Sequence, residues 1–374
     1  MPPPSQTFRP IDLDAPPVIE PAISNPPNAV VIPSEEHQQQ VPKVDFVKAH
    51  NPTHAYAKIE EKRSKSLDHH GAGWGCVYFG VILPRVEGQH NVFYCPRQED
   101  AKLVAIKRLR KAVVQKSLRE GGKENPYKEI SLMQQLGDNH HVLGIVEAIE
   151  DEQYLYIVMP FCEKESLVEW IPWRNGVNEQ TALQVFRNVL ENMIYLHQRG
   201  VAHRDLSPDN AMIINGRIVF NDLAMSVAIP SDGSNVSGKG GFGKAAYLPP
   251  EVYLNYPFDP KSCDLWGAAV ILFNMLTGQI GWRSPMPSDI LFRYLVLARG
   301  LHRYPANERT VEILSNERSD QSPLKKLAQK CLGLSPEVLD LLSGVLHANY
   351  YERWSTDQVV HCDWVQQNEG WTPT

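Results

Sequence analysis

Apolar and polar residues alternate differently along the two halves of this chain. From Tyr56 to Met159 the apolar positions fall in short runs rich in β-branched and aromatic side chains. "GCVYFGVIL", beginning at Gly75, and "LVAIKRL", residues 103 to 109, read as strands. "YLYIVMPF" is another, stopped by Pro160 because proline brings no N–H to a ladder. Between the first two, Pro84 to Lys102 is polar and turn-rich, which predicts an insertion or a long hairpin loop. One helix interrupts the strands. In "NPYKEISLMQQLGD", Asn125 suits the N-cap, Pro126 the first helical position and Gly137 the exit.

Beyond Glu163 the period becomes helical. "TALQVFRNVLENMIYLHQRG" places Leu183, Phe186, Leu190, Met193 and His197 on one face, with Gly200 as its stop. "AMIINGRIVFND" then predicts two short strands around Asn215–Gly216, the pair favoured in a type I′ hairpin turn. From Cys263 the pattern is mostly helical, with loops at Pro285–Pro287 and between Asn307 and Ser322. A strand-rich front and a helix-rich back predict two unequal lobes joined near Met159 to Glu163.

Residues 1 to 55 show little periodicity and many prolines, among them Pro2, Pro3, Pro4, Pro16, Pro17, Pro26 and Pro27. Such a segment buries too little apolar surface to offset its ordering entropy, so a disordered tail is expected. The N-terminus lacks a basic stretch followed by an apolar core, and the apolar run around Ala268 to Leu276 is too short for a membrane span. A net charge of −6 argues against a nucleic-acid surface. The densest basic cluster, Lys107, Arg108, Arg110 and Lys111, reads as a solvated patch. The 6 cysteines form no C-x-x-C pair, which fits a reducing compartment. His69–His70 and His140–His141 have no partners at metal-ligand spacing.

Four elements call for one explanation: "VAIK" ending at Lys107, "HRDLSPDN" at 203 to 210, Asn221–Asp222 followed by Leu223–Ala224, and "YLPPE" at 247 to 251. In order and spacing they resemble the eukaryotic protein kinase family, serine/threonine type, from about residue 56 to 366. The resemblance implies an α+β, bilobal fold. Its N-lobe, 56 to 159, would be a five-stranded antiparallel sheet with one helix. Its hinge would be 160 to 162 and its helical C-lobe 163 to 366.

The same resemblance implies ATP and Mg2+ as cofactors and protein serine or threonine hydroxyls as acceptors. Pro208, two residues before Asn210, favours that specificity over tyrosine. Phosphoryl transfer runs through a loose transition state, so the protein must position groups and neutralise charge. Lys107 would hold the α- and β-phosphates and Glu129 would orient it. Asp222 and Asn210 would hold magnesium, and Asp205 would accept the hydroxyl proton. Gly71, Ala72, Gly73, Trp74 and Gly75 would form the phosphate lid. Val77, Ala105, Met159, Pro160 and Cys162 would meet the adenine, with Met159 as gatekeeper and Cys162 a spectator thiol. Glu251 with Arg353, and Asp264 beneath the catalytic loop, are expected to be structural. Ser231, Ser234 and Ser237 are candidate acceptors for an activating kinase, whose phosphate Arg204 would bind. A cytoplasmic protein, with nuclear access possible, is expected.

The departures from the family pattern are specific. The glycines of the lid are shifted by one residue, with Ala72 and His70 at the first two family positions. Ala224 replaces the glycine of Asp-Phe-Gly. Ser207 stands where the family has a lysine that steadies the transferred phosphate, and Lys244 stands where many serine/threonine kinases have threonine. Losing one such contact costs about 10²–10³ in rate. The expectation is therefore a low kcat at an ordinary KM for ATP, raised by Ser207→Lys. Two other readings remain open: a pseudokinase acting as a scaffold or allosteric module that binds ATP weakly or without turnover, and a small-molecule phosphotransferase. The "PPE" segment and the Asp264 helix, which belong to a protein-substrate lobe, oppose the second.

Overall fold

The computed structural model describes residues 11–24, 30–32, 46–49, 53–62, 74–89, 92–94, 96, 100–162, 164–237, 243–297, 333–367 and 371–373. The chain forms two compact units, one of Asp12–Glu163 and one of Lys164–Thr374 with Met1–Ile11.

The first unit is built on strands β1 (Glu20–Ser24), β2 (Val30–Ile32), β3 (Phe46–Ala49), β4 (His54–Lys62), β5 (Gly75–Pro84), β6 (Val92–Tyr94), β7 (Leu103–Arg110), β8 (Glu147–Glu150) and β9 (Tyr154–Pro160). Helices α1 (Lys111–Arg119) and α2 (Pro126–Leu136) lie between β7 and β8. Seven strands close a barrel in the order β1-β3-β4-β5-β7-β9-β8. All the neighbours are antiparallel except β1 and β8, whose parallel pairing closes the ring. The period of two along β7 sorts its side chains. Val104 and Ile106 pack with Val47, Tyr56, Ile149, Tyr156 and Val158 in one cluster. Ala105 and Lys107 take the opposite face, with Val77 across from Lys107 and Met159 across from Ala105.

This unit corrects three expectations. Among the described residues the sheet has seven strands rather than five, and two helices accompany it rather than one. The two added strands come from the proline-rich segment, where β1 and β3 pair with each other and Val47 is fully buried. The segment is poor in apolar residues, yet a few of them gain order by completing an existing sheet. Helix α1 follows β7 directly and buries only Val114. Nor is the basic cluster a solvated patch. Lys107 is buried, and the Arg108 guanidinium lies 4.8 Å from the Tyr78 ring and 4.6 Å from the Tyr154 ring.

The second unit opens with β10 (Lys164–Ser166) and α3 (Leu167–Trp170), then the long helix α4 (Glu179–Gln198). Strands β11 (Val201–Ala202), β12 (Ala211–Ile214), β13 (Arg217–Phe220) and β14 (Val227–Ala228) follow. Helices α5 (Pro250–Tyr253), α6 (Pro260–Thr277), α7 (Ile290–Phe292), α8 (Pro336–Val345), α9 (Thr356–Val360) and α10 (Asp363–Gln366) complete it. The β12–β13 hairpin turns at Asn215 and Gly216, both with positive φ, as a type I′ turn requires. Helix α6 is the core of the unit. It is buried from Cys263 to Thr277, capped by Asp259 and ended by Gly278 at φ 62°. Among the described residues, no helix is long and apolar enough to cross a membrane.

Candidate active site

One group of candidate residues lies on β5, β7 and α2 of the first unit. The Asn125 side chain accepts from the N–H groups of Tyr127 and Lys128, starting α2 so that Glu129 falls in its first turn. Lys107 Nζ donates to Glu129 Oε2 at 2.9 Å, and both side chains are buried. Gly75 begins β5 because nothing larger fits: a Cβ there would stand 2.0 Å from the Arg108 carbonyl oxygen. Trp74 is buried, and its carbonyl accepts from Arg110 N at 2.8 Å. Gly71, Ala72 and Gly73 lie outside the described residues. Met159 and Cys162 are buried, Pro160 is exposed, and Val77 and Ala105 are half-buried. Burial pushes the Cys162 thiol up to about 11, so it stays protonated at neutral pH.

The segment from His203 to Asn210 hangs from α6 in the second unit. Asp264 Oδ2 accepts from His203 N at 2.8 Å and pairs with His197 Nε2 at 2.9 Å, while Oδ1 accepts from Arg204 N at 2.7 Å. These bonds hold Arg204 at φ 67°, a strained conformation for a residue with a Cβ. Just beyond, Asn210 Nδ2 donates to both the Asp205 carbonyl, at 2.9 Å, and its Oδ2, at 2.7 Å. Asn221 N reaches the Asn210 carbonyl at 2.9 Å, and the next residue, Asp222, is left-handed at φ 62°. Leu223 and Ala224 behind it are fully buried. Burial holds the Asp205 carboxyl above its usual range. The Lys244 charge opposes this, Asp222 adds to it, and His203 and the Asn210 hydrogen bond oppose it.

Sequence reasoning did not find what Lys244 does. Gly243, at φ 70°, packs against Arg204 and Asp205, and Lys244 N then donates to Asp205 Oδ1 at 3.3 Å. Lys244 Nζ donates to Ser207 Oγ at 2.9 Å and lies 3.4 Å from Asp209 Oδ2 and 3.8 Å from Asp205 Oδ2. The signal was present as two departures, at 207 and 244, treated separately.

The expected structural pairs are in place. Arg353 grips Glu251 with two bonds, Nη1 to Oε1 at 2.6 Å and Nη2 to Oε2 at 3.0 Å. Ser231, Ser234 and Ser237 are exposed, and Val236 between them is bridged to Phe258, whose ring lies 5.9 Å from the Arg204 guanidinium.

The metal question rests on the donor set. With its amide nitrogen turned to Asp205, Asn210 has its side-chain oxygen left for a cation, and Asp222 offers a carboxylate. Among the described residues there is no cluster of three or more His, Cys, Asp and Glu. Two hard oxygen ligands suit magnesium, which keeps water and takes further oxygens from substrate phosphates.

Residues 88–365 match the protein kinase domain. The chain belongs to the protein kinase family. Among relatives, this kinase is 26% identical over 301 residues to sperm motility kinase 3A of Mus musculus, covering 80% of this chain and 49% of the relative. It is 30% identical over 255 residues to MAP kinase-interacting serine/threonine-protein kinase 2 of Xenopus laevis, covering 65% and 52%. It is 29% identical over 209 residues to CBL-interacting serine/threonine-protein kinase 7 of Arabidopsis thaliana, covering 56% and 47%. The kinase thus spans about half the length of these relatives.

Proposed function

We propose that this kinase is an active enzyme that transfers the γ-phosphoryl group of magnesium ATP to serine or threonine hydroxyls of protein substrates. The observation that carries the reading is the Asp205–Asn210 contact. The 2.7 Å bond spends the amide nitrogen of Asn210 on Asp205, so the amide oxygen is the atom that would hold magnesium. Asp222, left-handed beside it at φ 62°, would supply the second ligand. Magnesium would neutralise phosphate charge there. Lys107, oriented by Glu129, would hold the α- and β-phosphates, and Asp205 would take the proton of the attacking hydroxyl. Val77, Ala105 and Met159, on one face of the sheet, would line the adenine site with the Pro160 and Cys162 backbone. Serine/threonine specificity is supported by Pro208 and by the relatives named above.

The test is incubation of the full chain with γ-labelled ATP, magnesium and casein, beside Asp205→Asn. Labelled casein above the Asp205→Asn background supports the enzyme. Equal labelling leaves the pseudokinase reading, which Ser207 favours.

A further inference from the structure

Ser207 and Lys244 have exchanged chemistry. In the family pattern the position of Ser207 carries the ammonium and that of Lys244 a hydroxyl. Here the hydroxyl is at 207 and the ammonium at 244, and the two touch at 2.9 Å. Ser207 is 1% exposed, so its hydroxyl is a fixed anchor. An ammonium has three N–H donors. One is spent on Ser207, whereas the carboxylates of Asp209 and Asp205 stand at 3.4 and 3.8 Å, beyond the roughly 2.7–2.9 Å of a short charged hydrogen bond. The Lys244 side chain keeps 24% of its exposure, so a ligand can reach it. Its backbone N–H is also turned to Asp205, by a Gly243 in the positive-φ region where a side chain is strained. The cation is thus tied at both ends to the base and its loop.

We propose that Lys244 is a catalytic residue of this kinase, its ammonium stabilising the transferred phosphoryl group in place of the lysine missing at 207. The inference rests on the kinase reading above. In the step, the acceptor hydroxyl oxygen forms a bond to the γ-phosphorus. The bond from that phosphorus to the β,γ-bridging oxygen breaks, and its electron pair leaves with ADP. The hydroxyl proton goes to Asp205. In the transition state negative charge is spread over the three non-bridging oxygens of the transferring group, next to the acceptor hydroxyl that Asp205 would hold. An ammonium beside that carboxylate is placed to meet it.

The geometry reverses the expectation for Ser207→Lys. Alone, that change puts a second ammonium into a buried position against the first and lowers turnover. The deciding set is Lys244→Thr, and Ser207→Lys with Lys244→Thr, each assayed with γ-labelled ATP and casein. Lys244→Thr is expected to lose about 10²–10³ in kcat and keep the wild-type Kd for magnesium ADP. The double exchange is expected to recover most of the loss. A second readout needs no turnover: Lys244→Thr should bind magnesium ADP with fluoroaluminate, a mimic of the transferring group, more weakly than wild type. Wild-type kcat in Lys244→Thr, or a rise above it, overturns the proposal while the kinase reading stands. So does a double exchange that binds magnesium ADP normally yet is no faster than Lys244→Thr. A wild type no more active than Asp205→Asn sinks the kinase reading, and this proposal with it.

Discussion

Lys107 and Glu129 meet at 2.9 Å across 22 residues of sequence, one on the β7 strand and the other in the first turn of α2. The pair ties a helix to a sheet at one ammonium, so the direction of Lys107 depends on where α2 sits. Glu129→Gln keeps the shape and removes the charge. Misplacing a phosphate-holding group by about 1 Å costs on the order of 10²-fold. The expected outcome is a fall of about that size in kcat/KM, mostly in kcat, measured with labelled ATP and casein. A variant that turns over normally would remove Glu129 from the machinery.

The Arg353–Glu251 pair should matter for stability instead. The guanidinium is 1% exposed and the carboxylate 8%, and Arg353 also donates to Ser262 Oγ and the His347 carbonyl. Its guanidinium lies 4.7 Å from the Trp266 ring in the core helix. Removing one partner strands the other charge, which costs about 3–5 kcal/mol. Arg353→Ala should lower the urea midpoint accordingly, and Arg353→Lys should recover only part, since an ammonium cannot make the two-pronged contact.

Asp205 predicts a pH effect of opposite sign to an ordinary salt-bridged carboxylate. Burial raises its folded pKa above the unfolded value, against the pull of Lys244. The folded state therefore binds the proton more tightly. Stability from this group is fully present below the unfolded pKa and is lost as pH rises through the folded one. Asp205→Asn, always neutral, should melt higher than wild type at pH 7, with the gap closing on acidification. A gap that widens toward low pH would contradict the assigned direction.

How much of this was legible depended on whether a signal was local. Asn125, Pro126 and Gly137 bounded α2, and Asn215–Gly216 marked the hairpin, because caps and tight turns are decided by neighbouring residues. Lys107, Asp205, Asn210 and Asp222 were named through the resemblance of their motifs to the family. The barrel closure was not legible, since the parallel pairing of β1 with β8 joins segments far apart in sequence and is encoded in neither alone. Lys244 was hidden for the same reason. It stands 37 residues from Ser207, and only folding brings the ammonium to the hydroxyl.

The segment before β1 supplies a last test. Gln134 and Gln135, on the outer side of α2, each bond a backbone residue through both ends of the amide. Gln134 accepts from Val18 N at 2.9 Å and donates to its carbonyl at 2.7 Å. Gln135 does the same with Asp12, at 2.9 and 2.7 Å. Between them Ser131 Oγ donates to the Ala15 carbonyl at 2.7 Å. Residues 12 to 18 are thus strapped along the helix that carries Glu129, by bonds that side chains make and a proline-rich backbone can accept. Each such bond contributes about 0.5–1.5 kcal/mol net. Gln134→Ala with Gln135→Ala should therefore speed hydrogen exchange of the α2 amides, while exchange in α6 of the other unit stays as it was. The looser helix should hold Glu129 less firmly, so kcat should fall with little change in KM for the protein acceptor. Unchanged α2 exchange in the double variant would mean that the strap lies on the helix without restraining it.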